Sequence, residues 1–329
     1  MGKLTRVISI LLAGSFVLLA GCADQPVKET KAFEQPKVER EKEKRVEKKQ
    51  EEEKPVFVNI IDPTTKAVIK TLNPKELGFG MNDEMYKAEI NKMARELARG
   101  NETTPGYDKR MILDKLDENG QVIKGTPQTI LDENELTDKV FQASVKGGDV
   151  EIPLYVTASG YKMEDASHLG EALVASYTTH FNSGVAGRTK NIALSAAAVN
   201  NVILGVGDSF SFNTTVGPSD AAHGFQKAPE VVEGKLVDGV GGGICQTSST
   251  LFNAIDKLGV SYIEKHHHSL EVGYVPKGRD ATVSYGGKDF RFKNTSGAPV
   301  LLKAIVKKGS LTIEVRTAKA YQAVIKKSM

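Results

Sequence analysis

"GVGGGICQTSSTLFNAI", residues 239–255, runs from glycines into a cysteine and then into apolar residues at helical spacing. Leu251, Ile255 and Leu258 stand at i, i+4 and i+7 and Gly259 follows as a stop, so the segment reads as a helix with Cys245 at its N-terminus. At such a position the unpaired amides and the positive end of the helix dipole favour a thiolate. Gly239, Gly241, Gly242 and Gly243 tolerate positive φ and leave N–H groups free to hold an oxyanion beside the sulfur. The competing reading is a small buried thiol filling space where a helix packs on a strand.

On either side the pattern is mixed. "KNIALSAAAVNNVIL", residues 190–204, predicts an alanine-rich helix with Ile192, Ala196, Val199 and Ile203 as its buried stripe. "KDFRFKNTSGAPVLLKAIVKKGSLTIEVRTA", residues 288–318, alternates and breaks at Asn294–Gly297 and Lys308–Ser310, which predicts three antiparallel strands joined by tight turns. The fold class expected is α+β, with a C-terminal domain of helices and antiparallel sheet over residues 161–320. Before it, "PVFVNIIDPTTKAVIKTL" (55–72) gives two strands around a turn, and "NDEMYKAEINKMARELARG" (82–100) gives a helix with Met85, Ile90, Met93 and Leu97 near helical spacing. An Asn-Gly turn in "DKLDENGQVIKG" (114–125) and a strand in "GDVEIPLYV" (148–156) complete a small α+β domain at 56–160. Nothing in it has catalytic spacing.

The first 55 residues differ in kind. Lys3 and Arg6 precede an apolar run from Val7 to Ala20, too short for the roughly 20 residues of a spanning helix, and the run ends in Leu19-Ala20-Gly21-Cys22. That pattern is a lipoprotein signal peptide over 1–22, with Cys22 as the lipidated first residue of the mature chain. Residues 23–55, including "VEREKEKRVEKKQEEEKP", offer almost nothing apolar and read as a solvated, charged tether. The expected location is the outer face of the cell membrane, with membrane lipid as a partner through Cys22.

The chain has only two cysteines, so lipidation of Cys22 would leave Cys245 as a lone thiol outside the cytoplasm, which marks it as reactive or intermolecular. The 44 basic and 41 acidic residues leave a net charge of +3, which gives no field selecting nucleic acid. In "SYIEKHHHSLEVGYV" (261–275), continued strand alternation would put His266 and His268 on one face and His267 on the other. Either of the first two is a candidate base for Cys245, Asp280 in "GRDATVSY" (278–285) a candidate orienter, and Arg279 a bidentate clamp for a substrate carboxylate. His-x-His with one cysteine also makes a possible three-ligand zinc set, but the paired ligand motifs of zinc sites are missing, so neither a metal nor another cofactor is expected.

The stretch from His180 to Asn294 resembles the VanW domain. The motifs that carry the likeness are Gly187-Arg188-Thr189, Ser211-Phe212-Asn213, Val216-Gly217-Pro218, Gly241-Gly242-Gly243-Ile244-Cys245-Gln246, His266-x-His268-Ser269 and Gly278-Arg279-Asp280-Ala281-Thr282. The resemblance implies an L,D-transpeptidase acting on peptidoglycan stem peptides, with Cys245 as the acylated nucleophile and His266 or His268 as base. Arg188, Asn213, Gln246, Gly242 and Gly243 would then bind substrate. Residues 56–160 look loosely like the wall-binding module that often precedes such domains, which keeps a second function open: a non-catalytic envelope lipoprotein that binds peptidoglycan.

Overall fold

The computed structural model describes residues 54–232 and 235–328. Cys22, the apolar run before it and the charged stretch up to Glu53 lie outside the described residues. No helix among the described residues is long and apolar enough to cross a membrane.

The chain is α+β. In its first part β1 (Val58–Ile61) pairs antiparallel with β2 (Val68–Leu72). α1 (Asp83–Arg99) follows, then the short hairpin of β3 (Lys115–Leu116) and β4 (Val122–Ile123), β5 (Gln128–Leu131), α2 (Glu133–Ala143), β6 (Gly148–Glu151) and β7 (Leu154–Thr157). β6 lies parallel to the other edge of β1, and β5 pairs with β7. The expected single strand over 148–156 is therefore two strands in two sheets, because Pro153 interrupts the ladder. Asn82 caps α1 by accepting from Met85 N at 3.1 Å. That helix buries Tyr86, Ile90, Met93, Ala94 and Ala98 against Val58, Ile60, Leu136 and Val140. Met85, one of the four residues near helical spacing, is exposed, since the buried face turns on Tyr86.

The second part supplies β8 (Ala172–His180), α3 (Ala186–Val199), β9 (Ile203–Leu204), β10 (Ser209–Ser211), α4 (Phe212–Val216), and the hairpin of β11 (Lys227–Val232) with β12 (Lys235–Val240). It continues through α5 (Ile244–Ile255), β13 (Ser261–Glu264), β14 (Arg291–Lys293), β15 (Val300–Lys307), β16 (Ser310–Thr317) and α6 (Gln322–Ser328). A four-stranded antiparallel sheet runs β8-β16-β15-β9, and a smaller one runs β10-β14-β13. Two of the three strands expected at the end do form a hairpin, but β14 joins the smaller sheet. α3 stops at Val199 because Asn201 takes positive φ of 65°, so Ile203 enters a strand and does not extend the helical stripe.

Helices α3 and α5 pack on the four-stranded sheet around Ile192, Val199, Leu251, Ile255, Phe290 and Ile313, all buried. Met111 and Leu113 from the first part also belong to this core. Backbone bonds from Leu116 N to Asn201 O and from Ile203 N to Asp114 O, with the Arg110–Asp289 ion pair at 3.0 Å, tie the segment before β3 to the second part.

Candidate active site

α5 begins where the sequence pattern places it, after Gly243 in the left-handed region (φ 113°). A side chain at Gly243 would be strained by that φ and would crowd Arg188 Cγ at 3.0 Å; one at Gly242 would meet Ala228 O at 2.3 Å. The first turn is tight: Ile244 N donates to Gly241 O and Gln246 N to Gly243 O. Among the described residues the amides of Gly243 and Cys245 have no partner in the chain, as the first donors of a helix do not.

Cys245, on the first turn, is half-buried and its Sγ donates to Val283 O at 3.4 Å. Its side chain shares the cleft wall with His268, and each shifts the other's ionisation. Asp280 Oδ2 accepts from His268 Nδ1 at 2.7 Å and also from His268 N at 2.7 Å. An ionised carboxylate only accepts, so Nδ1 carries the proton and Nε2 is left for the sulfur. His268 is 7% exposed at its side chain, against 47% for His267 and 40% for His266.

The three groups shift one another. Burial pushes the Cys245 thiol up, but the hydrogen bond and charge of His268, helped by the Thr282 hydroxyl, outweigh it, and the thiol ionises below its ordinary value. Burial pulls the His268 imidazole down, and contact with Cys245 and Asp280 more than reverses this, so it stays protonated to higher pH than usual. Burial opposes ionisation of Asp280 too, yet the amide and rings of His267 and His268 bring its carboxyl down to about 2. The two shifts run in the direction that favours a thiolate–imidazolium pair, with a carboxylate holding the imidazole.

Alternation does not select the histidines as the sequence pattern expects. β13 ends at Glu264, whose Oε1 accepts from Asp289 N and from His266 Nε2 at 3.0 Å. His266 is thereby paired with Glu264, and it is His268 that the structure brings to the sulfur. His267 donates from Nδ1 to the other oxygen of Asp280 at 2.7 Å, and Lys265 Nζ donates to its Nε2 at 3.0 Å.

The cleft in front of the sulfur encloses about 900 Å³ and is lined by Arg188, Gly243, Cys245, Gln246, His268, Tyr274 and Thr282, with Asp220, Glu271, Tyr285 and Lys288 also on its wall. Gln246 is fully buried: its Oε1 accepts from Arg188 Nη2 at 2.8 Å while its Nε2 donates to Thr179 Oγ1 and His180 O. Asn213 does not reach this cleft; its amide donates to Ser284 O and Lys288 O and braces the loop that does. Gly242 also works from behind, its carbonyl accepting from Asn191 Nδ2 at 2.9 Å. Arg279, expected as a carboxylate clamp, is not among the residues lining this cleft: its guanidinium pairs with Asp256 at 2.8 Å, donates to Asn253 Oδ1 and lies over the Phe252 ring. Tyr274, whose ionisation burial pushes up, is a wall residue that the sequence pattern did not single out. Among the described residues no group of three His, Cys, Asp or Glu side chains is arranged to hold a metal ion.

The site thus sets a cysteine on the first turn of a helix beside a histidine that an aspartate holds. Residues 187–316 match the family described as VanW like protein, from the Gly187 turn of α3 to near the end of β16. The chain is 36% identical over 214 residues to the uncharacterized protein YoaR of Bacillus subtilis, a match covering 64% of this chain and 71% of that protein. It is 31% identical over 109 residues to the vancomycin B-type resistance protein VanW of Enterococcus faecalis, covering 32% of this chain and 40% of that protein. No solved structure matches it. The chain belongs to the VanW family.

Proposed function

We propose that this protein is a cysteine acyltransferase of the L,D-transpeptidase type that acts on the stem peptides of peptidoglycan. The observation that carries the reading is Cys245 beside His268, whose Nδ1 is held by Asp280, in a cleft of about 900 Å³. A relative named for vancomycin resistance supports the cell wall as the setting.

In the first step the Cys245 thiolate attacks a peptide carbonyl. A sulfur–carbon bond forms, the carbon–nitrogen bond breaks, and the imidazolium of His268 gives its proton to the departing amine. The amides of Gly243 and Cys245 would donate to the oxyanion, a contribution of about 3 kcal/mol per donor in other acyl-transfer enzymes. In the second step the side-chain amine of another stem attacks the thioester and loses its proton to His268, and the sulfur leaves as thiolate. Asp280 holds the imidazole with Nε2 toward the sulfur throughout. Anchoring through lipidated Cys22 would put this chemistry on the outer face of the membrane, the charged stretch after it serving as tether.

The test is incubation of the purified chain with disaccharide tetrapeptide, followed by intact-mass analysis of wild type and Cys245→Ala. The expected result is a covalent adduct or crosslinked dimer that depends on Cys245. Its absence across several stem types would leave a wall-binding lipoprotein as the function.

A further inference from the structure

Arg188 lines the cleft with Cys245, and the anions that act on it from within the chain are ionised Tyr274 and Cys245, not a carboxylate. Its guanidinium donates through Nη2 to Gln246 Oε1 at 2.8 Å and lies 5.8 Å from the Tyr274 ring centroid. Gln246 is neutral, and its own amide is tied down by bonds from Nε2 to Thr179 Oγ1 at 2.9 Å and His180 O at 3.0 Å. This holds the guanidinium in one place without cancelling its charge. Elsewhere in the same domain the arginines are matched: Arg279 with Asp256, Arg316 with Glu314, and Arg291 with Glu264. The two carboxylates on the cleft wall are engaged with other groups, Asp220 with His223 at 2.7 Å and Glu271 with Lys277 at 2.6 Å. Among the described residues no carboxylate pairs with Arg188.

A partly buried cation with no carboxylate partner keeps only the charge of the sulfur to offset its lost hydration, and acylation of the sulfur removes that charge, so an anion arriving with the ligand is favoured. The planar fork of an arginine, with most of its five donors unspent, fits a carboxylate bidentately. We infer that Arg188 is the specificity-determining residue of this cleft: it reads the free α-carboxylate of the residue that departs, so that the site acts on peptides ending one residue beyond the bond that breaks. The inference rests on the acyl-transfer reading of Cys245.

Position supports it. Arg188 packs against Gly243, two residues before the nucleophile, and Gln246, which anchors its guanidinium, is the residue directly after it. A terminal carboxylate belongs to the residue whose nitrogen leaves, so it lies close to the carbon under attack. One more residue would carry it about 3.8 Å further along the chain. A cation placed beside the sulfur therefore selects the shorter leaving group.

The experiment compares disaccharide tetrapeptide with its C-terminal carboxamide, in two assays on the full chain. In the Cys245→Ala background, where no turnover interferes, calorimetry should find the acid bound about ten- to hundredfold more tightly than the amide, the factor for a charge-assisted contact. Arg188→Gln should erase that ratio and Arg188→Lys should keep part of it, with thermal melts confirming that both variants fold. In the wild type, adduct formation at Cys245 should show the same preference. Equal binding of acid and amide, or no binding of either, overturns the inference. Adduct formation from both ligands at equal rate overturns it while leaving the acyltransferase reading intact. Acid-selective binding without any adduct sinks the acyltransferase reading instead and leaves the carboxylate site standing. A raised pH midpoint for Cys245 alkylation in Arg188→Gln, with the acid preference unchanged, would assign the guanidinium to the thiolate and also overturn the inference.

Discussion

Replacing Asp280 by asparagine removes one charge and little volume from the centre of the site. The carboxylate accepts three hydrogen bonds at 2.7 Å, from His268 N, His268 Nδ1 and His267 Nδ1, and its side chain is only 10% exposed. An amide oxygen still accepts, but it no longer stabilises the imidazolium form of His268, which in turn no longer stabilises the thiolate. One charge-assisted hydrogen bond to a buried group is worth about 1.5–3 kcal/mol, or about 1–2 pH units at 1.36 kcal/mol per unit. The midpoint for alkylation of Cys245 by iodoacetamide, followed against pH by mass spectrometry, should start below the ordinary thiol value of about 8.5 and rise by that amount in Asp280→Asn. The same substitution has a separate effect on stability. The Asp280 pKa is depressed from 3.8 to about 2, so its contribution is present above the ordinary value and is lost as pH falls toward 2. That depression of about 1.8 pH units corresponds to about 2.5 kcal/mol, so the variant should unfold more easily in urea at pH 6 by about that much, and the gap should close between pH 4 and 2. An alkylation midpoint that stays at the wild-type position would refute the coupling of Asp280 to the sulfur through His268.

His268→Gln should raise the alkylation midpoint toward that of a free thiol and abolish adduct formation, whereas His266→Gln, which loses only the Glu264 pair, should shift stability by no more than about 0.5 kcal/mol and leave the alkylation midpoint in place. Gly242→Ala drives a methyl group into Ala228 O at 2.3 Å and should cost about 1–3 kcal/mol in denaturant unfolding. Arg279→Ala should lower stability by about 1 kcal/mol through loss of its contacts with Asp256, Asn253 and Phe252, and leave the acid-over-amide preference unchanged in the calorimetric comparison.

The elements with a single strong periodicity were legible in the sequence. α5, α1 with its Asn82 cap, and the β15–β16 hairpin all follow from apolar spacing and turn residues. α2 was not, because only Leu136, Thr137 and Val140 of its 11 residues are buried, too few to set a stripe apart from its polar background. The register of the histidines was not legible either. It depends on where β13 stops, and that is set by Asp289 N bonding Glu264 Oε1 across 25 residues of chain, a long-range contact that no local pattern encodes. Arg279 and Asp280 are neighbours in sequence yet face different partners, the first toward Asp256 and the second toward the imidazoles, so proximity in the chain could suggest both as site residues and separate neither.

α5 also explains how a loop without regular structure can hold a base in place. A buried helix should be apolar on its inner face, but Thr247, Ser248, Ser249, Thr250 and Asn253 are all buried in α5. Their hydrogen bonds account for the exception. Ser249 Oγ accepts from Ala281 N at 2.9 Å, Ser248 Oγ donates to Ala281 O at 2.5 Å, and Asn253 Nδ2 donates to Arg279 O at 2.7 Å. These bonds grip the backbone on both sides of Asp280, the residue that holds His268. The helix that carries the nucleophile on its first turn thus fixes, from its next two turns, the segment that orients the base. An apolar helix would pack as well, but would leave the Ala281 and Arg279 backbone groups without partners, each at a cost of about 1–3 kcal/mol. The distance between sulfur and imidazole is then set by one rigid element and not by two independently moving ones, which is the condition for a preformed thiolate–imidazolium pair.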